Sequence, residues 1–71
     1  MEDDTLLMEA MDKVTIEMMD NLDHGDEIEL NEKYTLYHHT EEDIFVINEI
    51  SEWEEVLQVM TNGEELIFEK L

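Results

Sequence analysis

The chain contains no cysteine, no arginine and no proline, and it has only two glycines, one tryptophan and one serine. Without cysteine, neither a disulfide nor a thiolate zinc site can support a small core, and cysteine usage carries no information on redox compartment. The near-absence of serine and glycine leaves nothing that reads as a linker, and no internal repeat or low-complexity segment stands out. Gly25 and Gly63 alone cannot build a glycine-rich phosphate loop. No apolar run approaches the roughly 20 residues of a membrane span. The opening "MEDDT" is acidic where a signal peptide would be basic, so a cytoplasmic location is expected. Positive charge is the scarcest property: three lysines stand against 22 acidic residues, for a net charge of -19 on 71 residues.

Charge of that density would suit a disordered tail. However, Leu, Ile, Val and Phe make up 20 of the 71 residues, above the roughly 20 % below which disorder is the default. The acids are also interleaved with periodic apolar residues rather than pooled. A single folded domain over residues 1–71 is expected. Its charge opposes the compact state, because neighbouring carboxylates repel across a Debye length of about 8 Å at physiological salt. Solubility of a small domain needs a net charge of only about 2–8 in magnitude, so the excess points to a partner.

Residues 4 to 22, "DTLLMEAMDKVTIEMMDNL", predict a helix capped by Asp4 or Thr5, with Leu7, Ala10, Met11, Val14, Met18 and Leu22 on one face. Leu6, Met8 and Met19 widen that face, so Leu7, Met11, Val14, Met18 and Leu22 read equally as core or as a dimer seam. "DHGDE" reads as a turn around Gly25. "EIELNE" alternates, with Ile28 and Leu30 inward and Glu27 and Glu29 outward, and "KYTLYHH" alternates again, with Tyr34 and Leu36 opposite Thr35 and Tyr37. The run Ile44 to Ile47 predicts a strand covered on both faces. Ser51 and Glu54 in "SEWE" form a capping-box pattern, which predicts a second helix from about residue 52 with Trp53, Val56, Leu57 and Met60 on its buried face. "TNG" would end it, and "EELIFEKL" predicts a last strand. The order α-β-β-β-α-β implies an α+β domain, an antiparallel meander of three to four strands with two helices on one face, expected to dimerise.

Catalytic chemistry is hard to assemble from these residues. With carboxylates everywhere no acid pair is distinctive, there is no cysteine nucleophile, and a chain this short has little room to bury a substrate. The protein is read as no enzyme, without cofactor or metal. An EF-hand alignment of "DNLDHGDEIELN" puts Leu22 and His24 at the third and fifth ligand positions and Asn31 where a bidentate Glu is required. His38 and His39 adjoin Glu41, Glu42 and Asp43, but strand neighbours point to opposite faces, so surface histidines near acids are the better account. Trp53 reads as core; Tyr37 reads as an exposed anchor or as cover for the second sheet face.

The carboxylates acting together are more informative. Duplex DNA carries one charge per about 1.7 Å of axis, so 22 carboxylates match the phosphates of roughly 11 base pairs. Strand residues two apart lie about 6.6–6.8 Å apart, and helix residues one turn apart about 5.4 Å, so regular elements can hold acids near the pitch of a nucleic-acid backbone. Such a surface competes for the Lys and Arg groups that a DNA-binding protein uses on phosphates. In "MEDDT", "HGDEIELNE", "TEEDIF" and "SEWEEV" the chain resembles the small, very acidic DNA-mimic proteins that bacteriophages make against host DNA-binding proteins. The resemblance lies in length and character over the whole chain and rests on no diagnostic motif. It implies a stoichiometric inhibitor in the host bacterial cytoplasm that occupies a DNA-binding surface without binding nucleic acid or membrane itself. The nucleoid-associated protein HU, a basic dimer with β-ribbon arms, is the best guess for the target, and uracil-DNA glycosylase, a restriction enzyme, a CRISPR nuclease or RNA polymerase would suit nearly as well. The acids expected to stand in for phosphates are Glu27 and Glu29, Glu41, Glu42 and Asp43, and Glu49, Glu52, Glu54 and Glu55. Two other classes stay open: an acidic regulatory or antitoxin-like module on a basic surface not used for DNA, and a divalent-ion-binding protein.

Overall fold

A β-branched run, Val14-Thr15-Ile16, interrupts the N-terminal apolar stripe, and in the computed structural model, which describes residues 5–42 and 44–71, the stripe folds as two helices. α1 spans Thr5–Lys13 and α2 spans Ile16–Asp20. Between them Thr15 is extended, at φ -130° and ψ 158°, and its hydroxyl accepts a hydrogen bond from the Met18 amide at 3.0 Å. Residues with restricted χ1 and a hydroxyl suited to capping favour such a break. The single helix expected over 4–22 is thereby corrected, and Asp4 lies outside the described residues. The break lets Val14 and Met19 both be buried, at 4 % exposure each.

Five strands follow: β1 Glu27–Glu29, β2 Tyr34–His38, β3 Phe45–Glu49, β4 Glu54–Thr61 and β5 Leu66–Lys70. They lie in sequence order in one open antiparallel sheet, the arrangement that short hairpin connections allow. Asn31 fixes the first hairpin. Its Oδ1 accepts from the amides of Lys33 and Tyr34, both at 2.9 Å, and its Nδ2 donates to the Leu6 carbonyl of α1 at 2.8 Å. Gly25, at φ 86°, supplies the left-handed turn after α2 that the sequence predicts there.

The second helix expected from residue 52 is a strand, β4. Trp53, Val56, Leu57 and Met60 satisfy a helical period, but Leu57 and Val59 alternate with Gln58 and Met60 equally well. The ambiguity is resolved by β3, whose second edge of backbone N–H and C=O groups needs a ladder partner. Ile47 pairs with Leu57 and Asn48 with Glu55, so Val56 is the extra residue of a bulge. This irregularity disguises the alternation in the sequence. The capping-box reading of Ser51 fails with the helix, since its hydroxyl instead bonds Glu49 Oε1 at 2.9 Å. Trp53 sits in the β3–β4 turn at φ 54° and is 58 % exposed, rather than in the core.

The helices cover one face of the sheet. The core joins Ala10, Val14 and Met19 to Leu30, Tyr34, Leu36, Ile47, Leu57 and Val59. Leu7, Met11, Met18 and Leu22 are half-buried against it, so the helix stripe serves the chain's own core. His38 departs from the surface position expected for the histidines. It is buried on the helix side, its Nδ1 lies 2.7 Å from the Leu22 carbonyl, and its ring stacks between His24 and Phe45 at 4.1 and 4.0 Å. Among the described residues no helix is long and apolar enough to cross a membrane.

Candidate partner-binding surface

Among the described residues, no second layer covers the face of the sheet turned away from the helices. Cross-strand partners share a face, so the ladder register defines what it displays. One row runs Glu27, Tyr37, Val46, Gln58, Glu69 from β1 to β5. The next runs Glu29, Thr35, Asn48, Glu55 from β1 to β4. Met60 and Ile67 complete the face beside β5. At about 4.8 Å between strands, the end carboxylates of the two rows stand roughly 19 and 14 Å apart. The open face is therefore a floor of mixed polar, aromatic and apolar groups between acidic margins. Val46 is 1 % exposed on this face, outside the helix-side core, so the third strand has buried residues on both faces, but the cover expected over the second face is absent among the described residues.

The acids expected to act together divide among several surfaces. Glu27, Glu29 and Glu55 are exposed on the open face. Glu49 and Glu54 pair with each other across β3 and β4 on the side of Tyr34, toward the helices. Glu52 is in the adjoining turn and lines a cleft with them, Leu7 and Lys70. Glu41 and Glu42 are exposed in the β2–β3 connection; Asp43 lies outside the described residues. The helical reading of residues 52–55 put their acids on one outward side, whereas strand alternation sends Glu54 and Glu55 to opposite faces. Glu69 was missed as a member of the open face, because only the β4–β5 register brings it level with Glu27.

Counter-charges are few. Lys13 lies 3.8 Å from Glu9 and Lys33 lies 3.9 Å from Glu49, both partly exposed and long for ion pairs. Exposed pairs of this kind contribute about 0–1 kcal/mol. The direct opposition of Glu49 and Glu54 is unfavourable in any sheet. Setting aside Glu2, Asp3, Asp4 and Asp43, the 22 acids become 18, carried along a longest dimension of 35 Å, or about one per 1.9 Å. A duplex carries one per about 1.7 Å. Among the described residues no group of three or more His, Asp or Glu side chains is arranged to hold a metal ion. Comparison with known protein families, curated proteins and solved structures returns no match.

Proposed function

We propose that the protein is a DNA-mimic inhibitor that occupies the basic DNA-binding surface of a host DNA-binding protein, with HU the best-fitting target. The observation that carries this reading is the charge density: carboxylates at nearly the linear spacing of duplex phosphates, on a body 35 Å long, offset among the described residues by two long ion pairs, of Lys13 and Lys33. A DNA-binding protein gains affinity by neutralising phosphates and releasing counterions, and exposed carboxylates on a folded scaffold attract the same cationic groups. Binding also removes part of the self-repulsion that opposes the compact state. Acids on the open face, the turns and the outer side of the helices suit a partner that wraps its ligand, as the β-ribbon arms of HU wrap DNA. The inhibitor acts stoichiometrically, binds neither nucleic acid nor membrane, works in the cytoplasm and forms a homodimer. The helix stripe is occupied, so the dimer contact falls to exposed apolar groups such as Ile67 and Leu71 near the β5 edge.

The test is competition. Purified HU is titrated with the protein by calorimetry, and a duplex is then added in excess; the complex is expected to form one-to-one per binding surface and to be released by the duplex. A retained partner from a nuclease-treated bacterial lysate extends the same test to other targets. A partner that does not bind DNA, or that duplex DNA fails to displace, would overturn the reading in favour of an acidic regulatory module. Light scattering reads the dimer directly as twice the 8.5 kDa protomer mass.

A further inference from the structure

The open sheet face contains a recess of about 290 Å³ lined by Glu27, Tyr37, Asn48, Trp53 and Glu55. Its size lies at the lower bound of small-molecule pockets, roughly 300–1,000 Å³, and suits one long side chain better than a whole substrate. Its chemistry is one-sided. Two aromatic rings and two carboxylates line it, and no lysine does.

The floor adds an independent feature. Thr35 and Asn48 are direct cross-strand partners on this face. Thr35 is 6 % exposed, and among the described residues neither its Oγ1 nor Asn48 Oδ1 has a hydrogen-bond partner. Only Asn48 of the two belongs to the lining of the recess, and a buried polar atom without a partner costs about 1–3 kcal/mol. Trp53 is the chain's one tryptophan. It is held over the β3–β4 turn and is more than half exposed, where core packing gives no account of it.

We infer that this recess receives an arginine side chain of the basic partner, an inference that rests on the reading above that the partner is a basic protein. A guanidinium has five N–H donors, no acceptor and a flat face. Its face stacks on Trp53, and its charge and its spread of donors are met by the carboxylates of Glu27 and Glu55 beside the Asn48 amide. A lysine ammonium satisfies the charge but neither the stacking nor the spread of acceptors. The site thus selects arginine within a surface whose remaining acids do not distinguish the two cations.

Two capped peptides of equal length test this, one with four arginines and one with four lysines, each spaced by glycine, titrated at 0.15 M salt and followed by NMR. The arginine peptide is expected to bind about fivefold tighter and to move the Trp53 indole N–H and Asn48 side-chain amide resonances, which the lysine peptide leaves nearly still. Trp53→Gly removes the ring at a position whose positive φ glycine accepts readily, so the fold is retained, as the remaining amide spectrum verifies. That variant should bind both peptides equally and the lysine peptide as before. Equal affinities in the parent protein, or a preference that survives Trp53→Gly, overturn the inference. If duplex DNA fails to displace the protein partner while arginine preference persists, the mimic reading falls and the arginine site stands. The reverse result separates them the other way.

Discussion

The two faces of the sheet are built from the same five strands and differ in almost everything else. The helix side buries Leu36, Ile47 and Val59 completely and gathers α1 and α2 over them. Among the described residues, the open side buries Val46 to nearly the same degree without a covering layer, beside Thr35, whose hydroxyl has no partner. One face is organised for cohesion between layers, whereas the other keeps only enough apolar contact to hold the ladder and gives its margins to Glu27, Glu29, Glu55 and Glu69. The division shows how a small domain can carry high charge: repulsion is spread over one face and the edges while cohesion is concentrated on the other.

The largest effect should come from the helix side. Ile47→Ala is expected to cost about 2–5 kcal/mol in urea unfolding, because the site is fully buried between two packed layers. Val46→Ala, its neighbour on the opposite face, should cost about 1.5 kcal/mol, the transfer value of two methylenes with little cavity penalty. Equal costs at the two positions would break the comparison and make the open face a second core.

Next is the effect on partner binding. Reversing Glu27, Glu29 and Glu55 together to lysine should weaken the complex with HU by about 30-fold, roughly 2 kcal/mol, while each single reversal changes it by about threefold or less. Calorimetry reads both. One single reversal that abolished binding and left the fold intact would sink the idea of a distributed decoy. The smallest effect is that of salt on stability. Between 0.01 and 1 M sodium chloride the Debye length falls from about 30 to about 3 Å, and relief of self-repulsion should raise Tm by roughly 4–8 °C, about 1 kcal/mol for a domain of this size. A Tm that fell with salt would mean the ion pairs of Lys13 and Lys33 outweigh the repulsion.

Much of the fold was legible along the chain. The alternation of residues 34–37 assigned Tyr34 and Leu36 to one face and Thr35 and Tyr37 to the other, and the run before Asn48 identified the strand with buried residues on both faces, Val46 on one and Ile47 on the other. The turn at Gly25, the last strand and the helical stripe were likewise readable, although Thr15 divides that stripe. Residues 52–60 were not, since the bulge at Val56 hides a period of two behind an acceptable period of 3.6. The buried place of His38 was equally hidden, because it depends on the Leu22 carbonyl and the Phe45 ring reaching the same spot.

The candidate site divides along the same line. That Glu27 and Glu29 face outward together follows from their spacing. That Glu55 joins them while Glu54 turns to the other side requires the β3–β4 register. The sequence by itself determined the excess of negative charge, the α+β composition and the amphipathic strands, because these depend on residue type and local period. Only the tertiary structure decided which acids share a surface and where Trp53, Asn48 and Tyr37 meet. Strand pairing, here between residues up to 15 apart, is selected by the unpaired backbone of a neighbour, and no local pattern encodes it.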